Sequence, residues 1–350
     1  PQVLALTQVI LPPEPRRRAV GYFGMVSALG AIAGPIIGGV ILSLDLFGLG
    51  WRAVFLLVIP PCLLSFACVA LILPRDTEAS SRSLDLGQGV LVAFGVTGLV
   101  FGAVQGRALG WPIWVMATIP GSVLVLAYVG DAQLHRVPDR VQPLLPRALV
   151  QSSAFLLGAG MILLVFSGIA GVPFVLAIAL QEGPQLTPGA VSIALAAHPV
   201  FAVLGAAIAG RVAPSNVWAL PLCGTFLTGV GIGIVILTFW SVGNDIDALI
   251  LLPPLSVIGL GMGLSNVALM SNALALAPKD AAGAASGFIQ TGQQVGIALS
   301  IAIVGGIYFG PVHGTTAQAA SLALAFPATV FVVAGALCAL AAVLHRRHAA

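Results

Sequence analysis

The stretch GAIAGPIIGG, residues 30–39, lies inside the apolar run 19–42. Glycine destabilises a helix in water by about 1 kcal/mol and proline by about 3 kcal/mol, yet the run is too apolar for a surface loop. Gly30, Gly34 and Gly38 recur every four residues, so that a helix places them in one row. Such a row lets a second helix approach backbone to backbone, which is how helices associate in a bilayer. The stretch therefore predicts a membrane helix with a close partner.

The rest of the chain is also strongly apolar. Hydrophobic residues make up 59% and charged residues 7% of its 350 residues, whereas soluble domains average roughly 45–50% apolar and 25% charged residues. Apolar runs of about 20 residues, long enough to cross a bilayer as helices, follow one another along most of the sequence. The composition predicts an all-α polytopic membrane protein.

Polar and Pro/Gly breaks divide the apolar sequence into a short partial helix at residues 1–12 and ten full spans. The ten predicted spans are 19–42, 51–73, 88–106, 112–130, 152–180, 189–209, 216–240, 248–275, 283–308 and 322–344. Most connections are short, and the two longer ones, 74–87 and 130–151, are predicted linkers.

The basic residues support this number of spans. If Arg16, Arg17 and Arg18 lie in the cytoplasm, alternation of the spans places all the remaining Lys and Arg residues on the same side, with the exception of Arg52 and Arg107. Membrane proteins keep Lys and Arg loops in the cytoplasm, whereas an odd error in the number of spans would exchange the sides of all later loops. The asymmetry also predicts a cytoplasmic carboxyl terminus.

Five segments, taken in order, resemble one transporter family. The segment 12–42, followed by WRAVFLLVIP at 51–60, looks like the fifth helix and the start of the sixth helix of the fourteen-helix drug:proton antiporters of the major facilitator superfamily. LQEGPQLTPGAVS (180–192) resembles the loop before the tenth helix of these antiporters. GLGMGLSNVAL (259–269) and DAAGAASGFIQTGQQVGIALS (280–300) resemble their twelfth and thirteenth helices. The resemblance covers essentially the whole chain and implies a fold of major facilitator type helical bundles.

The resemblance gives the glycine row a second interpretation. Gly30, Gly34, Pro35, Gly38 and Gly39 match the antiporter signature of the family, which implies a tight, bendable interface between two bundles that rock about a central site. Pro35 removes one amide donor and predicts a bend. From spacing alone, an ordinary close-packed helix pair is the alternative.

The resemblance also implies a domain organisation. Residues 1–73 correspond to the remnant of an amino-terminal helical bundle, and residues 74–151 to a linker with two inserted transmembrane helices. Residues 152–350 correspond to a carboxy-terminal six-helix bundle and a cytoplasmic tail. Because the match begins inside the fourth helix of the family, we expect an amino-terminally truncated chain.

Acidic residues occur only in predicted loops and at span ends. An ionisable residue in mid-membrane costs about 2.5–3.5 kcal/mol on insertion scales and usually marks function. Gln293 stands where the antiporter family often has Arg. We therefore expect the proton-coupling acid to lie outside this sequence; a neutral or lipophilic substrate is the other explanation for the missing acid.

Neutral polar side chains are the candidate substrate contacts. On the predicted helix 283–308, one arc of roughly 120° carries Ser286, Gln290, Gln293, Gln294 and Ser300. Amides that face lipid are costly, so the arc predicts a water-lined cavity or a partner helix. Asn266 and His198, the latter the only histidine well inside a span, complete the candidates. The alternatives are hydrogen bonds that merely join helices for the arc, and a neutral core histidine bonded to a carbonyl for His198.

Motifs of other protein classes are missing from the sequence. It contains no HExxH, GxSxG or phosphate-loop motif, and its four cysteines lack metal-ligand spacing. We therefore expect no catalytic residue, no metal and no cofactor, and the protein is not predicted to be an enzyme. Without a basic stripe interleaved with aromatic residues, we expect no nucleic-acid partner.

The function that the resemblance implies is secondary active transport. The protein would export lipophilic drug-like or antibiotic compounds across the plasma membrane by proton antiport, as in multidrug efflux and antibiotic resistance. Its partners would be membrane lipids, a small lipophilic substrate and protons as the coupling ion. The alternative is a truncated membrane protein or scaffold that does not transport.

Overall fold

The structure is a computed structural model of the chain. It describes residues 26, 29–30, 33–34, 36–45, 48–72, 83–106, 109–135, 141–142, 146–212, 217–277, 281–310 and 314–349. Pro35 and half of the predicted span 19–42 therefore lie outside the described residues, although residues 36–44 are helical.

The first part of the described chain contains three long helices and one small parallel strand pair. The helices are α1 (Trp51–Ile72), α2 (Leu86–Gln105) and α3 (Ile113–His135). Strands β1 (Ser83–Leu84) and β2 (Val141–Gln142) pair in parallel, with Ser83 opposite Val141. Because β1 belongs to the first predicted linker and β2 to the second, the pair joins the two linkers that flank the hairpin formed by α2 and α3.

The second part is a helical bundle. Its elements are α4 (Arg147–Val150), α5 (Ser153–Ile169), α6 (Gly171–Glu182), α7 (Pro188–Arg211), α8 (Ala219–Val242), a 3-10 turn (Ala248–Leu251), α9 (Leu252–Ala275), α10 (Ala282–Tyr308) and α11 (Thr316–Ala349). Side chains cap several starts: the Ser152 hydroxyl accepts from the Phe155 amide at 3.2 Å, and the Thr187 hydroxyl accepts from the Ala190 amide at 3.3 Å. These caps satisfy amides that have no partner inside the helix.

Nine helical segments of the described residues are long and apolar enough to cross a membrane. They are Trp51–Leu71, Leu86–Gln105, Ile113–Gln133, Ser153–Glu182, Pro188–Arg211, Ala219–Val242, Ala248–Ala275, Gly283–Tyr308 and Thr316–Leu344. Each of them overlaps one predicted span. The prediction of an all-helical polytopic membrane protein is confirmed, and the number of helices is close to the predicted number.

The predicted span 152–180 is interrupted near its middle, where α5 ends and α6 begins at Ala170. Pro173 has no N–H, so the carbonyl of Ile169 loses its helical partner. At the same break, the Gly171 amide donates a buried hydrogen bond of 2.8 Å to the Ser300 hydroxyl on α10. The interruption is therefore held in place by a side chain from another helix.

Helix α9 occupies the centre of one side of the bundle. It packs along α7 on one side and α8 on the other, and α8 packs in turn on α11. Along α9 more than half of the membrane span is buried, including Leu255, Ile258 and Leu269. The second group consists of α5, α6, α10 and α11, which bury Val165, Leu176 and Phe331 completely or almost completely.

The hairpin of α2 and α3 is a compact helix pair. Cβ atoms at Gly98 and Gly102 would overlap the side chains of Ser122 and Thr118, so only glycine allows this separation of the two helices. At the end near the linkers, the Gln133 amide donates to the Gln88 side chain. Outside the hairpin, α2 packs mainly on α10.

Candidate functional site

The stretch GAIAGPIIGG, residues 30–39 and called the glycine segment below, meets the helical bundle at Gly39. This glycine is buried, and a Cβ placed on it would lie 2.6 Å from the Cβ of Ser192, near the start of α7. The Ser43 hydroxyl donates to the Gly39 carbonyl at 2.8 Å. No described atom lies within 4 Å of a Cβ at Gly30 or Gly34. Within the described chain, the close contact is therefore made by the last glycine of the predicted motif.

The neighbouring glycine, Gly38, faces α1. A Cβ on Gly38 would be 3.8 Å from the Val54 side chain, which is an ordinary van der Waals distance. Gly38 and Gly39 therefore serve different contacts, one with the next helix of the chain and one with α7. Pro35 lies outside the described residues, so the predicted bend stays a prediction.

The closest backbone contacts in the bundle involve glycines that the sequence analysis did not single out. A Cβ on Gly263 would lie 2.7 Å from the Ala206 amide nitrogen of α7, and a Cβ on Gly259 would lie 3.0 Å from the Ala202 nitrogen. On the opposite side of α9, a Cβ on Gly261 would be 2.6 Å from the Thr228 nitrogen of α8. The signal in the sequence is GLGMG, which places small residues on both sides of one helix.

Two candidate residues carry buried polar atoms without a hydrogen-bond partner in the described part of the chain. They are Nε2 of His198 on α7 and Oδ1 of Asn266 on α9. Buried polar atoms are usually paired, and an unpaired one needs a partner such as water or a ligand. Asn272, by contrast, donates from Nδ2 to the Val217 carbonyl at 2.8 Å and so joins α9 to the start of α8.

The polar arc of α10 serves several contacts. Ser300 is fully buried and accepts from the Gly171 amide, which matches the alternative of a bond that joins helices. Ser286 donates to the Gly283 carbonyl of its own helix at 2.9 Å. Gln293 is 6% exposed, whereas Gln290 is half-buried and Gln294 is exposed.

Gln290 and Gln294 face the hairpin of α2 and α3. Together with Thr291 they line a cavity of about 330 Å³ between α10 and α2, whose other wall includes Val96 and Val100. Towards the other end of the same two helices, a second cavity of about 740 Å³ is lined by aliphatic residues and by the aromatic residues Trp111, Phe174 and Phe309. The structure thus separates the predicted arc into groups that point to different neighbours.

The chemistry available inside the described spans is that of neutral hydrogen bonds. Away from the span ends, His198 is the only Asp, Glu, Lys, Arg or His in the nine described spans. Glu182 lies at the end of α6, where its carboxylate accepts from the Tyr308 hydroxyl at 2.9 Å. These side chains suit the recognition of a neutral molecule.

Comparison with known protein families agrees with this architecture. The family model described as Major Facilitator Superfamily matches residues 1–301. The chain belongs to the major facilitator superfamily. The resemblance to this superfamily inferred from the sequence motifs is thereby confirmed, and the chain has the multi-pass helical architecture of a superfamily member.

Similar superfamily members include exporters and resistance proteins. The "Probable actinorhodin transporter" of Streptomyces coelicolor is 33% identical over 89% of this chain and 54% of its own length. The "Tetracenomycin C resistance and export protein" of Streptomyces glaucescens is 28% identical over 87% of the chain and 55% of its length. A "Multidrug resistance protein B homolog" of Mycobacterium tuberculosis is 30% identical over 83% of the chain and 53% of its length. The chain spans about half the length of these relatives.

Proposed function

We propose that the protein exports lipophilic, drug-like or antibiotic compounds in exchange for protons. The observation that carries the proposal is its similarity, over 89% of the chain, to the relative named "Probable actinorhodin transporter". We place the protein in the plasma membrane with its carboxyl terminus in the cytoplasm, because that orientation puts all but two of its Lys and Arg residues on the cytoplasmic side.

The proposed transport cycle moves one bundle against another. The close contact of Gly39 with Ser192 supports an interface between the glycine segment and α7. A helix without a side chain at the contact point can approach its neighbour and can also separate from it without repacking a side chain. In this proposal the glycine motif allows the bundles to close tightly on the side where α7 begins.

Neutral polar groups bind the substrate in this proposal. His198, Asn266 and Gln293 lie on helices of the carboxy-terminal bundle, and two of them have polar atoms that are buried and unpartnered in the described chain. A ligand with donors and acceptors would satisfy these atoms. Ser286, Gln290 and Gln294 extend the set of neutral groups along α10.

The second candidate function is that of a membrane protein that does not transport. The observation that favours it is that the nine described spans contain, away from their ends, no Asp or Glu that could exchange a coupling proton. A fold with these helices can serve as a scaffold without a complete pathway. Transport measurements separate this candidate from the first.

The decisive experiment measures exchange in everted vesicles from a bacterium that lacks its own drug pumps. Respiration acidifies the vesicle interior and quenches the fluorescence of a pH-sensitive acridine dye. If the protein is an antiporter, a lipophilic antibiotic restores the fluorescence in vesicles with the protein and not in vesicles without it. Absence of this recovery, together with unchanged drug susceptibility of the host, contradicts the exporter and supports the scaffold.

A further inference from the structure

We propose that the cleft between α2 and α10, called the hairpin cleft below, binds a neutral lipophilic aromatic compound that carries hydrogen-bond acceptors and arrives from the bilayer. The hairpin cleft comprises the two cavities lined by Gln290, Thr291 and Gln294 at one end and by Trp111, Phe174 and Phe309 at the other. The binding site itself rests on the structure. Only its place on an export route rests on the proposed function.

The two cavities follow one line along the same pair of helices. Residues Val96 and Val100 of α2 line the first cavity, and Ala103 and Val104, one turn further along, line the second. On α10 the lining extends from Gln290 to Phe309, a distance of about 28 Å at the rise of an α-helix. The hairpin cleft therefore extends over nearly the whole hydrocarbon thickness of a bilayer, about 30 Å.

The packing of the hairpin explains why this space stays open. Glycines close the interface between α2 and α3, where a Cβ on Gly95 would lie 2.8 Å from the Leu126 side chain. On α10, by contrast, a Cβ on Gly306 would have no neighbour within 4 Å. The hairpin is thus tightly packed within itself and leaves space against α10. The volumes of about 330 and 740 Å³ fall in the range of small-molecule sites, about 300–1,000 Å³.

The polar end of the cleft selects for hydrogen-bond acceptors. The Thr291 hydroxyl donates to the Gly287 carbonyl of its own helix at 3.0 Å, which leaves the amides of Gln290 and Gln294 as the groups available to a ligand. Each carboxamide has two N–H donors. No lining residue of either cavity is charged, so an ion would lose its hydration without gaining a countercharge.

The depth of the Gln290 and Gln294 amides in the bilayer favours a neutral aromatic compound with hydrogen-bond acceptors over a membrane lipid. Counted from Gly283, where the span begins, Gln290 and Gln294 lie about 10 Å and about 16 Å into the bilayer. Acyl chains at that depth have no polar group, and lipid headgroups stay at the interface. A flat aromatic compound can instead place a carbonyl at the amides and its rings against the aliphatic wall formed by Val96, Val100 and Val295.

Benzophenone is a suitable probe, since it is neutral, aromatic and lipophilic, carries one carbonyl acceptor and forms covalent adducts when irradiated. The full protein is reconstituted in phosphatidylcholine vesicles and irradiated with micromolar benzophenone, and the labelled peptides are identified by mass spectrometry. We expect the label to concentrate on the cleft-lining parts of the two helices, which are Val96 to Val104 on α2 and Gln290 to Phe309 at α10. Ala298→Phe, which fills the smaller cavity, and Gln294→Leu, which removes one amide, should each lower this labelling by about tenfold.

Two matched variants control for changes outside the cleft. Ala336→Phe introduces the same ring at an exposed position of α11, and Gln181→Leu removes an exposed amide at the end of α6; both should leave the labelling unchanged. The proposal is overturned if benzophenone labels all exposed helices alike, or if Ala298→Phe has no effect. It is also overturned if a phosphatidylcholine with a diazirine in its acyl chain labels the cleft and excess benzophenone does not compete.

The same variants separate the site from the export proposal. Weakened labelling together with slower efflux supports both. Weakened labelling with unchanged efflux overturns only the place of the cleft on the export route. Normal labelling of a protein that shows no efflux and no proton exchange leaves the site intact and contradicts the exporter.

Discussion

Gly39 shows how a single missing side chain can determine an interface. Its Cα faces Ser192 so closely that even a methyl group would overlap the serine side chain. Gly30 and Gly34, which belong to the same pattern in the sequence, have open space around them in the described structure. The spacing of the glycines predicts the row, and the structure shows which member is in close contact.

We predict that Gly39→Leu abolishes export, since a leucine there would force the glycine segment away from α7. Gly233→Leu introduces the same side chain on α8, where a Cβ has no neighbour within 4 Å, and should leave export intact. Efflux of a fluorescent substrate from loaded cells measures the difference, with an immunoblot of the membrane fraction as the measure of protein level. Equal efflux by the two variants would show that the contact is dispensable.

The Ser300 hydroxyl stabilises the interruption between α5 and α6, because it accepts a hydrogen bond from the Gly171 amide. Removing its hydroxyl leaves the buried Gly171 amide without its acceptor, and a buried unpaired donor costs about 1–3 kcal/mol. Ser300→Ala should therefore lower the unfolding temperature of the purified protein. Thr329→Val, which removes an exposed hydroxyl bonded only within α11, is the control. Thermal unfolding followed by size-exclusion chromatography tests this, and a Ser300→Ala protein as stable as Thr329→Val would contradict it.

At the scale of helices, the sequence predicts spans better than contacts. Each of the nine described spans overlaps a predicted one, because hydropathy alone determines which segments enter a bilayer. Pro173 marks the interruption at Ala170 in the sequence, but the hydrogen bond of the Gly171 amide with Ser300 joins residues far apart along the chain, and no local pattern reveals that partnership. Likewise, Gln290 and Gln293 share one arc of the helical wheel, yet Gln290 lines the hairpin cleft and Gln293 is almost fully buried. The neighbours of α10 decide this difference.

Helix α9 tests the importance of backbone packing. A Cβ on Gly263 would overlap the Ala202 carbonyl of α7, and two further methyl groups would make the clash worse. We predict that Gly263→Val destabilises the bundle by about 1–3 kcal/mol and reduces the amount of monodisperse protein. Gly210→Val, where a Cβ has no neighbour within 4 Å, should behave like the unchanged protein. Fluorescence-detected size-exclusion chromatography of tagged variants gives the comparison, and similar profiles would refute the prediction.

At the scale of the whole molecule, the pairing of β1 with β2 places the two linkers side by side. This arrangement agrees with the alternation of spans that the basic residues predict, since both linkers carry arginines assigned to the cytoplasm. The hydrogen bond from Asn272 to the Val217 carbonyl likewise joins the last turn of α9 to the start of α8, two helix ends that are assigned to one side.

Cysteine labelling tests this orientation. In a variant without the four native cysteines, single cysteines at Arg136 and Arg211 should react with a membrane-impermeant maleimide in everted vesicles and not in intact cells. A cysteine at Gly110, in the turn between α2 and α3, should show the reverse pattern. If positions 136 and 211 react from opposite sides, the assignment of spans is wrong, and the proposed direction of transport is wrong with it.

The glycines on both sides of α9 also limit how the protein can move. A helix whose main chain touches the main chains of α7 and α8 has no layer of flexible side chains along which it can slide. Helices α7, α8 and α9 must therefore move together as one rigid body during any conformational change. Rearrangement inside the carboxy-terminal half is then left to the kinked neighbour formed by α5 and α6, where a single serine hydroxyl bridges the break.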